Sequence, residues 1–79
     1  MNGKVTLVRY ANRRGTSGVV AYGLAGDAIV VEFESGHRYV YTSELAGAAS
    51  VMEMQRFAEA GSGLAAYIAK KQPGYVRIR

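Results

Sequence analysis

The residues that could do chemistry are few. Ser17, Asp27 and His37 supply the side-chain types of a hydrolytic triad, in which a histidine takes the serine proton and the carboxylate holds the imidazole. Their setting argues against it: Asp27 follows Gly26 in a tight-turn pair, and Ser17 has no strand-to-helix elbow to expose its hydroxyl. His37 is the single histidine and there are no cysteines, so neither a histidine-rich nor a thiolate metal site can form. Glu32 and Glu34 alternate on one strand face and could form an acid/base pair, but an ion pair of Glu32 with Arg38 accounts for them more economically. Gly61-Ser62-Gly63-Leu64-Ala65-Ala66 spells the glycine-rich turn that lets a pyrophosphate approach a helix N-terminus. That turn needs a preceding strand, and here a helix pattern precedes it, so a helix-to-helix turn is expected. No catalytic residue, metal or cofactor is expected, and the chain reads as a non-enzyme.

Charge is the more informative feature. Lys4, Arg9, Arg13 and Arg14 lie in residues 1–14 and Lys70, Lys71, Arg77 and Arg79 in residues 70–79, with no acid in either segment. All six acids lie between them, alongside only Arg38 and Arg56, and the net charge is +4. If the two ends meet in space, as termini of single domains often do, they form one basic pole. Arg9, Arg13, Arg14, Lys70, Lys71, Arg77 and Arg79 would then hold phosphates, and Tyr10 and Tyr75, which lie among them in sequence, would stack on unpaired bases. RNA or another single strand is the expected partner, because no helix carries the basic and polar face that reading a major groove requires. The alternative is a protein partner or a homodimer, docked on an apolar sheet face or an unpaired edge strand.

These residues must be positioned by a small fold. A chain of 79 residues supports one core. With 49% hydrophobic and 20% charged residues its composition is that of a folded domain. Lys4 to Tyr10 alternates as a strand, with Val5, Leu7 and Arg9 on one side and Thr6, Val8 and Tyr10 on the other. Three β-rich runs follow, Val19 to Leu24, Ala28 to Glu34 and His37 to Thr42, forming a meander. A two-residue turn at Gly26-Asp27 sets Leu24 against Ile29, Tyr22 against Val31 and Val20 against Phe33 on one apolar face. A three-residue loop, Glu34-Ser35-Gly36, continues that face with His37, Tyr39 and Tyr41 and sets Glu32 against Arg38 on the other. The reverse face, with Val19, Ala21, Val30, Val40 and Thr42, is apolar enough to need cover. Val5, Leu7, Val76 and Ile78 could supply it by curling the sheet towards a partial barrel.

Ser50-Val51-Met52-Glu53 has capping-box spacing and predicts a helix to about Ala60, burying Val51, Met54, Phe57 and Ala58. Ser62 caps a second short helix that buries Leu64, Tyr67 and Ile68 and ends at Pro73-Gly74. The expected class is therefore α+β: a twisted antiparallel sheet built on a three-stranded meander with terminal strands, packed against two short helices.

Val20-Ala21-Tyr22 leading to Leu24, then Ile29, Val31 and Phe33, then Gly36, Tyr39 and Tyr41, then Ala60 with Ser62, and finally Tyr75, resemble the KTSC domain. This small domain is found at the C-terminus of lysyl-tRNA synthetases and as stand-alone proteins. The resemblance divides the single domain into a basic strand and loop at 1–16, a KTSC-like unit at 17–75 and a basic strand or tail at 76–79. It implies the α+β fold and, by analogy with a tRNA-charging enzyme, contact with RNA. Two departures stand out: Glu44-Leu45-Ala46 replaces the family's valine-proline pair, and Leu64-Ala65-Ala66 replaces its aromatic residue and asparagine.

Met1-Asn2-Gly3-Lys4 lacks a signal pattern and the longest uncharged stretch is too short to cross a bilayer, so a cytoplasmic protein with no membrane contact is expected. The absence of cysteine agrees with a reducing compartment. With Arg13 and Arg14 on the surface, Arg13→Ala with Arg14→Ala should weaken binding of all nucleic-acid probes alike while leaving the melting temperature nearly unchanged. Paired anisotropy and thermal unfolding measurements read both.

Overall fold

A computed structural model describes residues 5–13, 15 and 17–78, so Lys4, Arg14 and Arg79 lie outside it. The elements run β1 (Val8–Arg9), β2 (Val19–Ala25), β3 (Ala28–Phe33), β4 (Arg38–Thr42), α1 (Ser43–Ala46), α2 (Ala48–Ala60), α3 (Leu64–Lys71) and β5 (Val76–Ile78). The five strands form one antiparallel sheet in the order β1-β2-β3-β4-β5, giving the expected α+β class. The sheet is not closed into a barrel. Its first and last strands are opposite edges, four steps of about 4.8 Å apart.

The register follows from the turns. Gly26 takes φ +61° in the two-residue turn, and Leu24 faces Ile29 while Tyr22 faces Val31. At the second hairpin Phe33 N–H donates to His37 O (3.0 Å), Gly36 takes φ +95°, and Val31 faces Tyr39 while Ile29 faces Tyr41. Glu32 and Arg38 pair on the opposite face with Oε2 3.6 Å from Nε. One pairing differs. Val19, not Val20, faces Phe33, because a bulge inserts an extra residue between Val19 and Ala21. The bulge turns Val19 into the core and Val20 outward, reversing the faces expected of them.

One sheet face carries the core. Val19, Ile29, Val31 and Tyr41 pack with Val51, Met54 and Ala58 of α2 and Leu64 of α3, and all are buried. The spacing of Val51, Met54 and Ala58 is one helical face, as their apolar periodicity requires. α2 begins at Ala48 rather than after Ser50. Gly47, with φ +95°, lets the chain leave the one-turn α1, whose first turn is capped by the Thr42 hydroxyl accepting from Leu45 N–H (3.2 Å). Ser50 therefore sits inside the first turn, and no side chain caps α2. Gly61, in the left-handed region at φ +73°, closes the helix with its N–H donating to Phe57 O and Ala58 O. α3 starts after Gly63, so Ser62 is not its cap.

Two side chains tie α1 and α2 to the first hairpin. Gln55 Nε2 donates to Gly26 O and Ala28 O (3.1 Å each), and Ser43 Oγ donates to Asp27 O (3.0 Å). On the reverse face, residues 5–7 cross over Gly23, whose missing side chain makes the crossing possible. A Cβ at Gly23 would lie 2.5 Å from Val5 Cγ1 and 3.0 Å from the Thr6 carbonyl oxygen. That segment covers part of the reverse face, as its alternation suggests, while β5 extends the sheet instead of folding over it.

Gly23→Ala should therefore cost about 1–3 kcal/mol in urea unfolding, the usual penalty of forcing atoms into a packed contact. Gly18→Ala, where the added carbon meets only Glu34 Oε2 at 3.7 Å, should be close to neutral. Equal effects would show that residues 5–7 do not hold the reverse face.

Candidate functional site

Between the C-terminal end of α3 and β4 lies a cleft of about 550 Å³ lined by Tyr39, Tyr41, Ile68, Gln72, Pro73, Gly74 and Tyr75. Parity of β4 points Tyr39 and Tyr41 to the core face, and the antiparallel pairing of Tyr39 with Arg77 puts residues 75 and 77 on that face too. Gln72 ends α3 in the left-handed region (φ 48°), turning the chain towards the sheet. Pro73 is buried, and Gly74 passes so close to the Leu45 carbonyl of α1 that no side chain fits there. This crossing delivers the Tyr75 ring onto Tyr39: the rings stack with centroids 4.0 Å apart and planes 9° apart. Tyr41 meets both at steeper angles, 6.3 Å from Tyr39 and 5.7 Å from Tyr75.

The three tyrosines differ in kind. Tyr75 is 46% exposed, an aromatic platform open to solvent. Tyr41 is fully buried, and its hydroxyl has no hydrogen-bond partner among the described residues. A buried hydroxyl without a partner costs about 1–3 kcal/mol, so its retention in so small a core calls for a reason. Burial, with smaller contributions from Tyr39 and Tyr75, pushes the Tyr41 phenol well above its ordinary value and keeps it protonated.

The expected site residues divide between two places. Lys70 and Lys71 are exposed in the last turn of α3, favourably placed at the negative end of the helix dipole, and the cleft begins at the next residue. Arg77 is exposed on β5 beside Tyr39. Among the described residues no carboxylate pairs with Lys70, Lys71 or Arg77. Tyr75, Lys70, Lys71 and Arg77 thus share one end of the fold. Arg9 lies on β1, at the opposite sheet edge, and Arg13 packs at the C-terminal end of α2. Among the described residues the cations of the two ends do not meet in one pole, because the uninterrupted strand order sets β1 and β5 on opposite edges.

Tyr10 is corrected more sharply. Only 3% exposed, it packs edge-on against Tyr22 at 6.5 Å, and its hydroxyl accepts from Leu64 N–H at 3.3 Å. It is a core residue that satisfies the first turn of α3 and has no face to offer a base. Arg13 Nε donates to Ala60 O (2.8 Å) and its backbone N–H to Gly61 O (2.8 Å), stitching the loop to the end of α2. Arg13 is exposed, as expected, but Arg13→Ala would also remove this helix-end contact.

The other motifs are structural. Ser17 Oγ accepts from Val19 N–H (3.0 Å) and Ser35 Oγ lies 3.1 Å from His37 Nδ1. Asp27 and His37 flank opposite ends of β3, about 20 Å apart at the rise of a strand, so no triad assembles. The Gly61–Gly63 turn lines a smaller cleft with Tyr10, Asn12 and Ser17, but the Tyr10 hydroxyl already engages Leu64 N–H and the Asn12 carboxamide oxygen already accepts from Ser17 N–H. Among the described residues no three His, Asp or Glu side chains converge as metal ligands, and no helix is long and apolar enough to cross a membrane. The Tyr41 hydroxyl is the element that sequence reasoning missed, since Tyr41 reads simply as core. Comparison with protein-family models, with curated proteins and with solved structures finds no match to this chain.

The Tyr41 shift has a consequence in alkali. Above about pH 10, the ordinary tyrosine value, Tyr41 of the unfolded chain releases its proton while the folded one keeps it. The unfolded state then binds fewer protons, so stability falls as pH rises through that range. Tyr41→Phe should flatten the fall in unfolding free energy between neutral pH and strong alkali; an unchanged slope would place the alkaline sensitivity elsewhere.

Proposed function

We propose that this chain is a non-enzymatic binding domain for single-stranded nucleic acid, RNA foremost, acting through the cleft at the end of α3. The observation that carries the reading is the exposed Tyr75 ring, held flat on Tyr39 and bracketed in the chain by Lys70, Lys71 and Arg77. A stacked pair presents one flat outer face, and base stacking on such a face is tolerant of sequence because every base has a π surface. The unpaired cations around it suit a phosphate chain running past the rim. Supporting the reading further, no long basic helix is present among the described elements to enter a duplex groove. We propose with it a kinship to KTSC domains, supported by the run from Val20 to Tyr75 set out above, and a cytoplasmic setting, supported by the lack of cysteine.

A second reading rests on its own observation. Val76, half exposed, and Ile78 lie with Val40 on the reverse face, and among the described residues β5 is bonded on one side only. Such an edge could add a strand from a protein partner or a second copy, although three residues make a short template. Association of that kind would depend on protein concentration and resist salt.

Anisotropy of a labelled single-stranded RNA, titrated across salt concentrations, separates the two. Tyr75→Ala should weaken binding by about 5- to 150-fold, the range of one lost base stack. Lys70→Ala with Lys71→Ala should lower the slope of log K against log salt by about 0.7 for each lysine that touches a phosphate. Wild-type affinity in both variants, or no binding at physiological salt, would refute the nucleic-acid reading.

A further inference from the structure

Resting on that reading, we infer that the cleft takes one unpaired, carbonyl-bearing nucleobase edge-on, inserted between Tyr39 and Tyr75, with the buried Tyr41 hydroxyl as the hydrogen-bond donor that recognises it. Three features of the cleft carry this. The Tyr41 hydroxyl is wholly buried and without a partner among the described residues, whereas the hydroxyl of the other buried core tyrosine, Tyr10, is engaged by Leu64 N–H. Tyr41 lines the cleft with its ring centroid 5.7 Å from that of Tyr75, whose ring is the only one of the three that is substantially exposed and so the one that can turn aside. The α3 C-terminus, through Ile68 and Gln72, forms one wall.

That wall decides what enters. The last carbonyls of a helix and the negative end of its dipole disfavour an anion in the cleft, so a free phosphate or a carboxylate is a poor occupant. A neutral ring is a good one: it exchanges one aromatic contact for two and brings an acceptor to a hydroxyl that has none. The cations lie on the rim at Lys70, Lys71 and Arg77, where the phosphates on either side of an inserted base would pass. The volume, about 550 Å³, falls within the range of small-ligand clefts and exceeds what one base needs, leaving room for Tyr75 to remain as the outer half of a sandwich.

The test compares wild type and Tyr41→Phe against two labelled probes, a uridine octamer and the same octamer with every base removed. Uridine stacks weakly on itself, which leaves its bases available. Wild type should bind the uridine octamer well above the abasic one. Tyr41→Phe should lose about five- to tenfold on the uridine octamer, the worth of one hydrogen bond, and nothing on the abasic octamer. Its melting temperature should match or exceed wild type, since an unsatisfied hydroxyl is removed; this sets a binding role apart from a structural one. Equal binding of the uridine octamer by the two proteins overturns the inference. Equal wild-type binding of both probes overturns it as well while leaving phosphate contact standing, and binding of neither probe overturns the proposed function with it.

Discussion

A domain of this size has one apolar layer to bury, and the antiparallel register decides which side chains belong to it. Opposed residues share a face, so the two hairpin turns together commit Ile29, Val31, Tyr39 and Tyr41 to the same side of the sheet. Val51, Met54, Ala58 and Leu64 then have only that side on which to pack. A slip of one residue at either turn would send the whole set to solvent. Gly26 and Gly36, both at positive φ, keep the turns at two and three residues and thereby hold the register. The clamp of Gln55 and Ser43 on the Gly26–Ala28 backbone couples that turn to the helices above it.

The cleft follows from the same constraint. Once Tyr41 is committed to the core face its ring is buried whole, hydroxyl included, and α3 passes above it. The chain must then return to the sheet edge within residues 72–75. Buried Pro73 and the close passage of Gly74 against α1 fix that return, which leaves Tyr75 flat on Tyr39 and not free in solvent. Core packing and binding surface are therefore the same group of tyrosines, with Tyr39 and Tyr41 set by the sheet and the Tyr75 ring laid over them.

Much of this was legible in the residues. Gly26-Asp27 and Ser35-Gly36 specify the hairpins, and the helical stripes identify which faces of α2 and α3 are buried. The failures have definite physical causes. Val19 and Val20 are identical in kind, so nothing local announces which one a bulge turns inward. Ser50 and Glu53 have capping spacing, yet Gly47 opens the helix earlier because its backbone can make the turn out of α1. Tyr10 sits among arginines in sequence, but strand parity carries it to the core while Arg9 faces the other way. Among the described residues the basic ends stay apart for a topological reason: proximity of termini is a tendency of domains, whereas an open sheet in sequential strand order puts its first and last strands on opposite edges. The candidate site was half visible, in Tyr75 with Lys70, Lys71 and Arg77. Its floor was not, because an unpartnered hydroxyl is a property of packing and not of residue type.

Electrostatics and packing thus converge on one end of the molecule. The direct measurement is a titration of the isotopically labelled protein with single-stranded RNA, following backbone amide shifts residue by residue. The account predicts that perturbations concentrate at residues 70–77 and at Tyr39 and Tyr41 on the cleft floor, with Arg9 and Arg13 unmoved. Shifts centred on the β1 edge, on Val40, Val76 and Ile78 of the reverse face, or on no residue at all, would contradict it.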